Sequence, residues 1–347
     1  MKAGKKKGKV GIEDIAKELK ISASTVSRAL NDHPRISRKT KEKVRQVASR
    51  LEYHPGIPEL LNPEKIEVVV VLVPSLENSL YREIVSGITD FLNENNYQTF
   101  VIDTNGDDKR VNAFFKTYRK YGISGIIHLI SNRTISRDYY SVIQDDAMPL
   151  VTVFEPDNDT GINSVLPDMF QGVFKIVKYI IALGIKNVSL LLEDGNKPED
   201  FQLVSSFQMA LEMLDSNKIL PTVEYVDRNG ESFAKKVTAI LHNQKKPQLL
   251  LVKDILSAVE VSRIAEKMKI NIPEDLLLIA FGAAGYSGLT DNLSLLKLPG
   301  YEMGYDAAEM LLEQIQNPKT EEKTAIKPVD FILKGSAIRL KQTRKSY

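Results

Sequence analysis

The chain has 347 residues, 43% of them apolar and 27% charged, with no cysteine and no tryptophan. That length permits two or three domains with sizeable cores, and the missing cysteine excludes disulfide staples, thiolate zinc sites and cysteine nucleophiles. The net charge of +2 conceals an asymmetry: residues 1–53 hold 15 Lys and Arg against 6 Asp and Glu, a balance of +9, so the remainder carries −7; a basic head on a mildly acidic body is the electrostatic footprint of a nucleic-acid module joined to something else.

The opening stretch, MKAGKKKGKVGIEDIAKEL, is charged but lacks the apolar segment of a secretory signal. Runs such as Val68–Val73 are far too short to span a bilayer. The expectation is a cytoplasmic protein with no membrane partner. The Lys5–Lys9 cluster reads either as a solubilising tail or as an extra arm on a phosphate backbone.

The first helix is expected over Ile12 to Lys20, where Ile12, Ile15, Ala16 and Leu19 form one apolar stripe. Lys20 and Ile21 make a turn, and Ser22 is suited to cap the next helix. That helix turns Val26, Ala29 and Leu30 inward and Ala23, Ser24, Thr25 and Ser27 outward. A third helix after Ser37 buries Val44, Val47, Ala48 and Leu51 and exposes Arg38, Lys39, Lys41, Lys43 and Arg45. Three short helices, the middle one small and hydroxyl-rich, suit an object that lays one helix in the major groove of DNA.

Residues 54–65, HPGIPELLNPEK, have the composition of a linker. Beyond them the pattern alternates between strands and helices. Strands are expected at Val68–Val73, Thr99–Asp103, Gly125–Ile130, Leu150–Phe154, Val188–Leu192, Thr222–Tyr225, Leu249–Val252 and Leu277–Phe281. Helices are expected at Leu80–Asn93, Val111–Lys120, Met169–Leu183, Gln202–Leu214, Ser232–His242, Ser257–Lys267 and Met303–Ile315. Near-continuous Val/Ile/Leu strands between amphipathic helices imply parallel sheets covered on both faces. There are too many such units for one small sheet. Two doubly wound lobes with a ligand cleft between them is the natural packing.

Residues 15 to 55 carry a recognisable string: Ile15-Ala16, Ile21-Ser22, Thr25-Val26-Ser27-Arg28-Ala29-Leu30-Asn31, Ile36-Ser37, Thr40, Val44, Ala48, Leu51, Tyr53 and Pro55. It resembles the headpiece of the lactose-repressor/galactose-repressor (LacI/GalR) family. Weaker echoes follow at Pro74, Gly184, Ile272-Pro273-Glu274-Asp275, Met303-Gly304 and Ala307-Ala308. The resemblance implies an all-α helix-turn-helix headpiece over 1–54, a hinge over 55–65, and a sensor over 66–347. That sensor would be periplasmic-binding-protein-like, with two α/β lobes. It further implies a homodimeric transcriptional regulator, usually a repressor, on a near-palindromic double-stranded operator, tuned by a small-molecule effector.

For DNA contact the resemblance points to Ser22, Ala23, Ser24, Thr25, Ser27, Arg28 and Asn31. Arg28 has the fork that pairs with guanine. Ala23 and Ser24 stand at base-reading positions but are small, so their readout is expected to be weak. Thr25, Ser27 and Asn31 suit phosphates. The hinge departs from the family pattern: it reads Pro55-Gly56-Ile57-Pro58-Glu59-Leu60-Leu61, with Leu60 or Leu61 as the candidate minor-groove wedge.

For the effector, the resemblance points to Leu80, Tyr81, Phe154, Lys197, Leu203, Arg228, Lys253 and Gly282. Leu203 and Gly282 stand where sugar-responsive members carry an arginine and an aspartate for ligand hydroxyls. An ordinary neutral sugar is therefore not expected. Lys197, Arg228 and Lys253 suggest an anionic sugar derivative; the other reading is a degenerate sensor kept as a dimerisation scaffold. Tyr81 is read either as a stacking partner or as a core residue. Four scattered histidines and the lack of a nucleophile elbow or metal spacing give no catalytic, metal or cofactor site to expect.

Overall fold

Ile12–Leu19 (α1), Ala23–Leu30 (α2) and Arg38–Arg50 (α3) each bury one narrow stripe, and the stripes meet in a core of Ile15, Ala16, Val26, Ala29, Val44 and Ala48. They come from a computed structural model that describes residues 12–30, 36–51, 67–130, 140, 143, 146–154, 162–193, 197–214, 219–226, 231–243, 245–283, 291–318 and 323–339. By its contacts the chain divides into residues 1–66 and residues 67–347.

Within the first unit the turn between α1 and α2 is made by Lys20 at φ 52°, a left-handed residue, and the Ile21 amide closes it onto the Ala16 carbonyl at 3.1 Å. Ser22 caps α2 by accepting from the Thr25 amide at 3.2 Å, and Ser37 caps α3 by accepting from Thr40 at the same distance.

The second unit holds two six-stranded sheets. The first runs in the order β11-β5-β4-β3-β1-β2, from Glu67–Val73 (β1), Tyr97–Asp103 (β2), Gly125–Leu129 (β3), Leu150–Val153 (β4), Asn163–Asp168 (β5) and Thr324–Pro328 (β11). The second runs β12-β10-β9-β8-β6-β7, from Asn187–Leu192 (β6), Leu220–Tyr225 (β7), Leu249–Val252 (β8), Leu277–Gly282 (β9), Ser294–Lys297 (β10) and Asp330–Ile332 (β12). Every pairing is parallel except β10 with β12. Central strands such as β1, β3 and β8 are buried nearly throughout, as sheets covered on both faces require.

The helices follow as Ser79–Glu94 (α4), Asp108–Phe115 (α5), Met169–Ala182 (α6), Pro198–Met213 (α7), Glu231–His242 (α8), Ile255–Lys267 (α9) and Gly300–Gln316 (α10). The chain crosses from the first lobe to the second after β5 and returns after β10, because α10 packs against α4 of the first lobe. That crossing is close: a Cβ on Gly304 would overlap the Ile84 carbonyl, and one on Gly87 would overlap the Tyr301 carbonyl. A last pass through β11 and β12 gives each lobe its outer strand.

Several expected boundaries shift, two of them with a clear local cause. The helix expected over Val111–Lys120 begins at Asp108, capped by Asp107, and ends at Phe115 before a short 3-10 turn. The helix expected from Gln202 begins at Pro198, whose fixed φ suits the first helical position. Four strands were not expected at all: β5, β10, β11 and β12.

Candidate functional site

On the headpiece, burial separates two faces of α2. Val26 and Ala29 are fully enclosed, whereas Ser22, Ala23, Ser24 and Arg28 are exposed and Thr25 and Ser27 are half-buried. The exposed hydroxyls are pre-ordered, since Ser22 Oγ lies 2.9 Å from Ser24 Oγ and 2.8 Å from Thr25 Oγ1. Along α3, Arg38, Lys39, Lys43 and Arg45 line the solvent side. A convex helix with small polar groups, one guanidinium and flanking cations fits a major groove. Asn31, Leu60 and Leu61 lie outside the described residues.

In each sheet of the second unit the chain direction reverses beside one strand. These switch points fall between β1 and β3 in the first lobe and between β6 and β8 in the second. Ligands of doubly wound sheets sit beyond the carboxyl ends of those strands. Tyr81 lies in the first turn of α4, just after β1; Glu193 follows β6; Lys253 follows β8.

A buried ion cluster joins these points. Glu199 and Asp200, in the first turn of α7, are 1% and 0% exposed, and Lys253 is 8% exposed. Lys253 Nζ donates to Glu199 Oε1 at 3.0 Å and to Asp200 Oδ1, and sits 5.4 Å from the centre of the Phe281 ring. The Glu193 amide donates to Asp200 Oδ2 at 3.3 Å. Tyr81 Oη, from the other lobe, donates to Glu199 Oε1 at 3.2 Å. One hydrogen bond thus crosses the seam between the lobes. Glu199 Oε2 is buried with no donor.

The electrostatics follow from this geometry. Burial works to push the Glu199 carboxyl up, but the Lys253 charge beside it outweighs burial and holds it below the usual range. Burial likewise opposes the charge on Lys253, and Glu199 and Asp200 more than compensate, so its ammonium is held well above the usual lysine range. Burial first, then the Glu199 carboxylate, pushes the Tyr81 hydroxyl far up. Tyr81 therefore remains a donor.

The remaining expected positions are distributed around this cluster. Leu80, Phe154 and Leu203 are buried core residues. Phe154 is at φ 69° with its amide on the Val165 carbonyl at 3.0 Å, so its backbone ends β4. Gly282 has φ 139°, a conformation that favours glycine. Lys197 pairs with Glu193 at 2.6 Å. Arg228 lies outside the described residues. Lys197 and Lys253, expected to face an anionic ligand, are both engaged by carboxylates of the same lobe.

Sequence reasoning missed Glu199, Asp200 and Glu193. Pro198 was the available signal, because a proline at the first helical position puts the next two residues in the first turn. Asp254 was also missed. It caps α9 by accepting from the Ser257 amide at 3.0 Å and does so at φ 79°, ψ 159°, a region almost restricted to glycine. A shallow recess lies beside Glu193, Lys253, Asp254 and Ser257, walled on its apolar side by Val226 and Phe233. A larger one of about 410 Å³ is lined by Ser262, Lys269, Asn271 and Asn292 among others, residues that precede β9 and β10 or belong to α9 and the turn after it.

A family profile described as "Bacterial regulatory proteins, lacI family" matches residues 11–56, and one described as "Periplasmic binding protein-like domain" matches residues 177–337. The chain thus joins a LacI-type helix-turn-helix headpiece to a periplasmic-binding-protein-like domain. It is 24% identical over 333 residues to catabolite control protein A of Staphylococcus xylosus, covering 94% of the chain and 99% of that relative. Its fold is similar to that of a LacI family transcriptional regulator from Enterococcus faecium with bound ribose (TM-score 0.68, 21% identity, covering 79% of this chain and 100% of that one). It is also similar to the Lac repressor dimer bound to operator and the anti-inducer ONPF (TM-score 0.71, 19% identity, covering 96% and 100%). Among the described residues no helix is long and apolar enough to cross a membrane.

Proposed function

We propose that this LacI-family transcriptional regulator is a cytoplasmic homodimeric repressor that reads a near-palindromic operator through α2 and responds to a small-molecule effector held between its lobes. The observation that carries the DNA side is the division of α2 into an enclosed apolar face and an exposed face bearing Ser22, Ala23, Ser24 and Arg28. Arg28 gives base readout, and Thr25, Ser27 and Asn31 hold phosphates. Two headpieces on a two-fold site double the contact, which suits a dimer. Leu60 or Leu61 serves as the hinge wedge.

On the sensor side, Tyr81, Lys253, Lys197, Arg228 and Gly282 mark the effector site, with Leu80, Phe154 and Leu203 supplying its apolar wall. An anionic effector finds two of these cations, Lys197 and Lys253, already paired with carboxylates. A second reading is favoured by the same cluster: a hydrogen bond between the protein's own side chains joins the lobes, as suits a sensor kept only as a dimerisation scaffold.

Selection of bound sites from random DNA, with and without small molecules from cell extract, tests both readings. A symmetric site whose occupancy changes with extract supports the effector reading, and unchanged occupancy supports the scaffold. The expected cost of Arg28→Ala is about 1–3 kcal/mol of discrimination at one base position. Intact site preference in that variant would refute the assignment of α2.

A further inference from the structure

We propose that the Tyr81–Glu199 hydrogen bond is a latch: it holds the two lobes in one arrangement without a ligand, and its release changes operator affinity. This rests on reading the chain as an operator-binding regulator. On the first-lobe side the donor is rigidly placed. Tyr81 is 2% exposed and lies in the first turn of α4, which Asn78 caps by accepting from the Leu80 amide at 2.9 Å. Further along, α4 is pressed onto α10 at Gly87 and Gly304, where a side chain on either glycine would overlap a carbonyl of the other helix. Gly300, where the chain re-enters the first lobe, is as tight: a Cβ there would lie 3.1 Å from Leu80 Cδ1. The Tyr81 hydroxyl therefore has little freedom to follow the second lobe if that lobe turns.

On the other side the acceptor is held just as firmly by its own lobe. Glu199 is 1% exposed, in the first turn of α7. Its Oε1 takes Lys253 Nζ at 3.0 Å and the Tyr81 hydroxyl at 3.2 Å, so one oxygen is anchored from the second lobe and accepts from the first.

The chain crosses between the lobes three times, after β5, after β10 and between β11 and β12. Rotation about those crossings changes the distance between groups facing one another across the seam. Two groups fixed in advance tolerate little of it, because a hydrogen bond weakens steeply with distance and angle. Once broken, the bond leaves a tyrosine hydroxyl and a carboxylate oxygen short of a partner, which is costly until the lobes part far enough to admit water. The seam thus favours two discrete arrangements, joined or parted and wetted. An element of that kind is what coupling between distant sites requires, and an effector acts on it by binding one arrangement better than the other.

The test compares the full-length wild type with Tyr81→Phe and Tyr140→Phe, each of which deletes one buried tyrosine hydroxyl. Tyr140 lies 3.1 Å from His128 Nδ1 inside the first lobe, so its variant controls for lost stability alone. The readouts are amide hydrogen exchange and affinity for the operator recovered by selection from random DNA. In Tyr81→Phe the first turns of α4 and α7 should exchange faster, and operator affinity should change roughly fivefold or more. A fall means that the joined lobes bind operator, and a rise that the parted ones do. In Tyr140→Phe operator affinity should stay within about twofold of wild type. Wild-type exchange at the seam in Tyr81→Phe, or faster exchange there with unchanged operator affinity, would overturn the latch and leave the regulator standing. An equal change of affinity in Tyr140→Phe, or a Tyr81→Phe protein that does not fold, would reduce the bond to a structural contact and overturn the latch as well. A wild type that selects no site would remove the regulator reading, and the latch with it.

Discussion

Replacing Lys253 with methionine removes the only cation that touches both Glu199 and Asp200 among the described contacts. Methionine keeps most of the stem's volume, so lost packing contributes under about 1.5 kcal/mol. Taking the shared cation from two buried carboxylates is the larger effect: breaking a buried pair costs about 3–5 kcal/mol. For a unit of this size that corresponds to a fall in melting temperature on the order of 10 °C. The sign of the pH dependence separates this cause from a packing defect. In the wild type the Glu199 carboxyl is held low, so its contribution is present above the unfolded value and is lost as pH falls. In Lys253→Met, two adjacent buried carboxylates raise one another, so the deficit grows as pH rises, by about 1.4 kcal/mol for each unit of that rise. Urea unfolding at pH 5 and pH 8 should therefore show a small deficit at the lower pH and the full one at the higher. The triple variant Lys253→Met, Glu199→Gln, Asp200→Asn should recover most of the loss, because a neutral cluster leaves no charge buried. A deficit of equal size at both pH values, or one below about 1 kcal/mol at pH 8, would refute the ion cluster as described.

His128 is enclosed in the first lobe, with Nδ1 3.1 Å from the Tyr140 hydroxyl, and burial lowers its pKa from 6.5 to about 3. The neutral form is required for folding, so stability is complete above 6.5 and falls as pH drops towards 3, by about 2.7 kcal/mol between pH 6.5 and 4.5. Chemical unfolding across that range should show this slope in the wild type and lose it in His128→Gln; equal slopes would refute the buried neutral imidazole. Lys20 holds the headpiece turn at φ 52°. A left-handed non-glycine residue costs about 1–2 kcal/mol, and glycine returns about half of that as chain entropy. Lys20→Gly should raise hydrogen-exchange protection in α1 and α2 by about 0.5–1 kcal/mol; lower protection would refute the strained turn.

Those elements that bury a continuous apolar face were legible from the order of apolar residues along the chain. The headpiece stripes, the long strands and the two-lobed arrangement all follow from periodicity, because one wrong register would expose a whole face. Short outer strands left little trace: β12 has three residues, β10 has four, and β11 ends in proline. Such strands form because a neighbour already offers a free edge, which is a tertiary fact rather than a local one. The site was half legible for the same reason. Tyr81 and Lys253 were reached through position after a strand. Glu199 and Asp200 were passed over because acidic residues in a first helical turn ordinarily face solvent and favour the helix dipole. Their burial depends on Lys253, 54 and 53 residues away, and no local pattern carries that distance.

Leu203, Gly282 and the ion cluster make one argument when taken together. With leucine and glycine at the positions where an arginine and an aspartate are expected, the second lobe has no long polar side chain there to reach across for a ligand's hydroxyls. What crosses the seam instead is the Tyr81–Glu199 hydrogen bond, an interaction with a charged partner worth about 1.5–3 kcal/mol. A ligand shifts a two-state equilibrium only by its difference in affinity for the two states. A molecule that merely replaced the tyrosine hydroxyl with another neutral donor would have little difference to offer. A molecule that also donated to Glu199 Oε2 would have one, because that oxygen is buried without a donor among the described residues. Leucine and glycine at those two positions are therefore compatible with a working sensor, provided that its ligand engages the polar groups at the seam.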